Sequence, residues 1–238
     1  KEVPASLQDT YFEYIASTIM NNAFSNMDIT KMMKVAQSIG ELTKNRHFYA
    51  YTFHDDEAKY FQGAGLAKGT PDSETDPEVG IYLNEQNPSK LGWYIDRKAQ
   101  ITKTGQNADG SKTYHVTYTL TNTLTSSEMA TCTGYILGGE QAGVTGKPVA
   151  APGTSAQRML FYAPKGGSIS EITSSGDVRD KSNAVMDDQK LVTNVAYIAP
   201  GESVTFDFDV TTSPKAESDL TIDQTPSGKV TNEVNYQY

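Results

Sequence analysis

His54, Asp55, Asp56 and Glu57 form the densest run of reactive side chains in this chain of 238 residues. An imidazole beside three carboxylates is material for a metal site or a general base, but either needs side chains that converge on one point. These four are consecutive, between an aromatic stretch, HFYAYTF (47–53), and a helical pattern, DDEAKYFQGAGL (55–66). Acids there favour the first turn of a helix, with an Asp as its cap. The other histidines, His47 and His115, stand alone, and no His-x-x-x-His or paired-cysteine spacing occurs, so no zinc site is expected. GAGLAKG (63–69) has three residues between its second and third glycines, follows a helix rather than a strand, and offers a pyrophosphate no helix N-terminus. It reads as a helix end. NADG (107–110) has two calcium-friendly side chains, but the following SKTYHVTY lacks the further acids and closing glutamate of a calcium loop.

Cys132 is the single cysteine, so no internal disulfide is possible, and neither a neighbouring His motif nor a Gly-x-Ser-x-Gly elbow marks a nucleophile. A small apolar role in a strand or at its edge is expected for it. A glycan-cleaving enzyme would need two carboxylates about 5–9 Å apart across a cleft, and the acids here show no pattern that pairs them. A Lys–Asn or Lys–Asp cross-link stays open, with no pair selected. The sequence therefore predicts no enzyme and names no catalytic, cofactor-binding or metal-ligating residue.

Trp93 and Tyr94, in KLGWYID, are the remaining candidates. Exposed aromatic faces stack on sugar rings, which makes this pair the candidate ligand-binding residues. The competing reading is packing: a tryptophan at the start of a long strand, at a domain junction, buries about 200 Å² and fixes the angle between the parts. The general burial of tryptophan favours packing.

The elements that would position these residues change character along the chain. Leu7, Tyr11, Ile15 and Ile19 recur at helical spacing, capped by Ser6 or Asp9. Ile29, Met32, Met33, Ala36, Ile39 and Leu42 make a second stripe after Asp28, a good N-cap. Together they predict an αα-hairpin. HFYAYTF alternates as a short strand. VGIYL (79–83) predicts another strand, and GWYIDRKAQITKTG and TYHVTYTLTNTL flank an Asp-Gly turn as a β-hairpin. Residues 138–155 read as a long loop, and 71–78 and 177–188 as solvated acidic loops. Further strands are expected at 156–166, 190–201, 202–213, 219–226 and 232–238. The predicted architecture is α+β: a small α/β front segment at 1–90, part of a larger domain, followed at 91–238 by an immunoglobulin- or fibronectin-like antiparallel β-sandwich.

Hydrophobic residues make up 37% of the chain and charged residues 21%, with a net charge of −9. An acidic chain repels phosphate backbones, which argues against nucleic acid and anionic membranes as partners. No apolar run approaches the length of about 18 residues that spans a membrane. The start at Lys1, without an initiating methionine, reads as an excised piece whose targeting segment lies outside it.

HFYAYTFHDDEAKYFQGAGLAKG, VGIYLNEQNPSKLGWYIDRKAQI, YTLTNT and APGESVTF, in that order after a helix pair, resemble the C-terminal region of the DUF4012 proteins. These are envelope-associated proteins of actinobacteria and related Gram-positive bacteria. The resemblance implies an extracytoplasmic location and a membrane anchor outside this chain. It also implies a structural or interaction role, with cell-wall glycan or another envelope protein as partner. It brings no catalytic residues.

Overall fold

The computed structural model describes residues 5–44, 46–139, 147–186, 189–229 and 231–238. The chain divides into two compact units, Lys1–Lys68 and Gly69–Tyr238.

The first unit holds α1 (Ala5–Phe24), α2 (Ile29–Lys44) and α3 (Asp55–Gly63). Ser6 and Asp9 lie inside α1 rather than before it. Asp28 caps α2 as expected: its Oδ1 accepts the Lys31 amide at 2.7 Å. The Lys31 ammonium reaches back to the carbonyls of Asn22 and Ser25 at 2.8 and 2.5 Å, which serves the C-terminal end of α1. Tyr11, Ile19, Ile29 and Met33 of the two stripes are exposed, as is Tyr14 beside them. The acids at 55–57 occupy the first turn of α3, but the expected Asp cap is not made. His54 holds the cap position without a side-chain bond. Thr52 substitutes, its hydroxyl donating to Glu57 at 2.7 Å and accepting the His54 amide at 3.1 Å. GAGLAKG ends α3: the Gly65 amide donates to Gln62 and the Leu66 amide to Phe61, with Gly65 at φ 72°. The strand expected at 47–53 does not form. A strand needs a partner ladder, and this stretch makes one backbone bond across, from Ala50 to Leu66 at 3.0 Å.

The second unit is a β-sandwich. Its elements are β1 (Glu78–Glu85), β2 (Ile95–Gln106), β3 (Lys112–Asn122), α4 (Ser126–Thr131), α5 (Gly134–Leu137), β4 (Ser155–Tyr162), β5 (Ser168–Ile169), β6 (Thr173–Ser174), β7 (Asp177–Met186), β8 (Gln189–Ile198), β9 (Ser203–Thr211), β10 (Thr221–Gln224) and β11 (Glu233–Gln237). One sheet runs β10-β1-β4-β8-β7; the other runs β11-β2-β3-β9-β5, with β6 also on β9. The sandwich thus begins at β1 and not at residue 91. β1 pairs with β4 from Gly80–Tyr162 to Glu85–Gln157, so residues 78–85 belong to the sandwich and not to the front segment. The β2–β3 hairpin forms in the predicted place, pairing Gln106 with Lys112 around the Asp-Gly turn. Most pairings are antiparallel, but β10 joins β1 and β11 joins β2 in parallel.

Alternation on β3 sends Tyr114, Val116, Tyr118 and Leu120 inward and Thr117, Thr119 and Thr121 outward. The Phe161 ring meets Phe206 and Phe208 edge-on at 5.2 and 5.6 Å in the centre of the core. Each such buried side chain contributes about 1.5–3 kcal/mol. Residues 177–186, expected as loop, form β7. It is an edge strand with a register shift between Arg179 and Ser182 and Asp180 at φ 56°. Charges and a bulge are how edges avoid mispairing, and they erase the alternation that would announce a strand. Asp187 and Asp188 of that expected loop, and residues 140–146 of the one at 138–155, lie outside the described residues. Among the described residues no helix is long and apolar enough to cross a membrane.

Candidate ligand surface at Trp93

Leu91–Tyr94 forms a 3-10 turn ahead of β2. Side chains three apart in such a turn lie on the same side. Leu91 and Tyr94 therefore share one side, and Trp93 falls on another. Leu91 is buried with Leu124 and Leu137, and Tyr94, Met129 and Cys132 pack against them. Trp93 is 66% exposed. Leu91, not Trp93, takes the inner side of this turn, and Trp93 precedes β2 rather than starting it.

The two candidate ligand residues are separated by this geometry. The Tyr94 hydroxyl lies 3.7 Å from the Cys132 thiol, and that hydrogen bond, with burial, pushes its pKa up to about 12. Cys132 is at the C-terminal end of α4, not in a strand, with the apolar packing role expected of it. SSEMAT, which precedes it, is helical because Thr125 and Glu128 form a reciprocal capping box.

The late part of the chain passes close to Trp93. A side-chain carbon at Gly228 would sit 3.9 Å from the indole, so this stretch runs beside the ring with no side chain between. At the next residue the Lys229 ammonium pairs with the Asp96 carboxylate, which also accepts the Thr231 hydroxyl at 2.9 Å. Burial raises the Asp96 pKa, but the bonds from Lys229 and Thr231 outweigh it and hold the carboxyl below its usual range. The Asp96–Lys229 pair is itself largely covered, so the exposed indole is the open feature of this stretch. Stacking on a sugar ring is the chemistry that an exposed indole supports.

Asp177, His115 and Asp109 are engaged with neighbours of their own. A crevice of about 290 Å³ includes Asp177, Arg179, Tyr197 and Glu202. Arg179 grips Asp177 through two bonds at 2.7 and 2.5 Å while stacking 4.4 Å over Tyr197. Those bonds hold the Asp177 carboxyl low, so it is not a proton donor near neutrality. On the outer face of the β2–β3–β9 sheet, His115 Nδ1 is 2.9 Å from Asp209, and Nε2 is 3.6 Å from Asp207. Its two nitrogens address different carboxylates and do not share one metal position. Among the described residues no three of His, Cys, Asp and Glu converge as a metal site. Asp109 accepts both the amide and the hydroxyl of Ser111, at 3.0 and 2.7 Å, which makes NADG a hairpin turn.

Sequence reasoning missed Gly228 as a neighbour of Trp93, and the pairing of Asp96 with Lys229. No local signal marks them, because β11 docks beside β2 in parallel across more than 130 intervening residues. No protein-family model matches the chain, and no curated protein matches it. Among solved structures, a "putative nutrient binding protein" from Legionella pneumophila subsp. pneumophila str. Philadelphia 1 is similar at 13% identity and a TM-score of 0.29. The match covers 58% of this chain and 44% of that one, so the chain spans less than half of that protein's length. A TM-score of that size assigns neither fold nor function.

Proposed function

We propose that this chain is a non-catalytic interaction region of a bacterial cell-envelope protein, outside the cytoplasm, whose sandwich presents Trp93 to cell-wall glycan. The observation that carries the reading is the bare indole, 66% exposed, with Gly228 beside it. A large aromatic left in water offers a face on which a sugar ring can stack. The apolar interior of the sandwich, and the grip of Arg179 on Asp177, support a binding role over carboxylate catalysis. The resemblance to DUF4012 proteins supports the envelope location, with the anchor in a segment outside this chain. Retention on insoluble cell-wall glycan and on a glycan array tests the reading, using wild type and Trp93→Ala. Loss of retention in the variant is expected; equal retention, or none in either, ends it. Fractionation of the full-length protein tests the location, and recovery from the cytosol would contradict it.

A second reading, docking of another envelope protein, is favoured by the apolar side chains that α1 and α2 leave exposed, among them Tyr14, Ile19, Ile29 and Met33. Cross-linking in whole cells tests it: adducts that disappear with Ile29→Asp and Met33→Asp are expected, and unchanged adducts would contradict it.

A further inference from the structure

The two sheets are unequal at one edge of the sandwich. Pairing of Asn183 with Val192 and of Val185 with Lys190 puts these four residues on one face of the β7–β8 hairpin. Period-two alternation from Ala196 and Ile198 of the core makes it the inward face. Opposite it, the other sheet ends in β5 and β6, two residues each, where β7 has ten. The inner face of the hairpin therefore outruns its cover, and a crevice of about 710 Å³ opens there, reaching the buried Phe161. That volume is in the range of small-molecule sites, which are apolar with a few polar groups that fix orientation.

The walls fit that description. Phe161, Ile169, Val185 and Val192 are apolar, and Lys190 is the only charged residue among the described residues lining the space. The Lys190 ammonium and the Asn183 amide make no hydrogen bond or ion pair among the described residues. In a chain of net charge −9, Lys190 places a positive charge on a wall whose other described residues carry none.

We propose that this crevice binds an amphipathic monoanion. Its apolar body lies against Phe161 and Val192, and its single carboxylate pairs with Lys190 and accepts from the Asn183 amide. The ligand is a free molecule rather than a bilayer, because the space is concave and the acidic chain repels anionic membrane surfaces. The site is independent of Trp93.

Titration calorimetry with laurate, below its micelle concentration, tests this on the whole chain. Dodecanol and dodecyltrimethylammonium serve as neutral and cationic counterparts. Laurate is expected to bind one to one, and the counterparts much more weakly. Lys190→Met should lower laurate affinity by about tenfold or more, as befits a lost charge-assisted bond. Val185→Trp, on the exposed edge strand and the inward face, should fill the space and abolish binding. Both variants should melt with the wild type, and Trp93→Ala should bind laurate normally. Several results would overturn the proposal: no laurate binding by wild type, equal binding of the cation, or unaltered binding by Lys190→Met. So would flotation with anionic vesicles that depends on Lys190, or a dimer that buries this edge.

Discussion

Asn122, at the end of β3, is wholly buried and makes three side-chain bonds. Its Nδ2 donates to the carbonyls of Gly153 and Ile198, both at 2.9 Å, and its Oδ1 accepts the Leu124 amide at 3.1 Å. Its backbone also joins the turn between β8 and β9, donating to Glu202 at 3.0 Å and accepting from Gly201 at 2.9 Å. One side chain thus secures the ends of β3 and β8 and the segment at Gly153. Asn122→Ala keeps the backbone bonds and orphans two carbonyls and an amide. A buried group left without its partner costs about 1–3 kcal/mol. Partial wetting of the Gly153 segment reduces the sum, so a loss of about 3–5 kcal/mol is expected. That is a large share of a domain stability of about 5–15 kcal/mol. At about 2–4 °C per kcal/mol for a domain of this size, the melting temperature should fall by roughly 6–20 °C. Near-ultraviolet circular dichroism and calorimetry on the whole chain would read it. Asn122→Asp keeps the shape but turns a carboxylate on two carbonyls. It should be at least as damaging near neutrality, and recover as acid protonates it and restores a donor. Thr121→Ala, which removes an exposed hydroxyl pair with Ser203, is the control, at about 0.5 kcal/mol or less. A melting point for Asn122→Ala within about 2 °C of wild type would refute the assignment.

Trp93→Ala should leave the melting temperature within about 2 °C of wild type, since its ring is mostly in water, while removing glycan retention; a large destabilisation would mean that the indole is a packing element after all. Asp219 receives bonds from Lys103 and Tyr114, both at 2.7 Å, which hold its carboxyl below the usual range. Because the folded value is depressed, its stabilisation is present above the unfolded value of about 3.9 and disappears as pH falls through the folded one. Asp219→Asn should therefore flatten the acid limb of the stability profile below about pH 4, and an unchanged slope there would contradict the linkage. A side chain at Gly167 would overlap the carbonyl oxygen of Thr211 in β9, a backbone atom that cannot swing away. Gly167→Ala should cost about 1–3 kcal/mol in urea denaturation, and a midpoint equal to wild type would count against the packing of that corner.

The elements that announced themselves in the sequence are those whose own side chains dictate their period. The β2–β3 hairpin is legible because apolar and threonine residues alternate strictly around an Asp-Gly turn, and α2 because its stripe follows a true Asp28 cap. HFYAYTF has the period of a strand, yet a strand is a relation between segments, and nothing in those seven residues says whether a partner exists. β7 has the partner and lacks the period. Trp93 was misjudged for a subtler reason: an average burial tendency cannot foresee a 3-10 turn, in which Leu91 and Tyr94 take the inner side. The surface around it was illegible because Asp96 and Lys229 meet only through the parallel docking of β11. Arg97 shows the converse. It interrupts the inward alternation of Ile95 and Ala99, and is 9% exposed, with Nη1 bonded to the Thr225 carbonyl at 2.5 Å. A charged residue in phase with a core stripe was visible from the start, and its partner was not.

The parallel strands at both edges bear on the order of assembly. β10 adds to the sheet of β1, and β11 to the sheet of β2, although each follows its neighbour by more than a hundred residues. During synthesis, a chain that has emerged as far as β9 already holds every antiparallel pair, yet both β1 and β2 still present open ladders. Such edges invite pairing with other chains, and distant closures are slow. The last twenty residues thus act as a double seal, and a chain cut before Thr221 should accumulate as aggregate rather than as a smaller soluble sandwich.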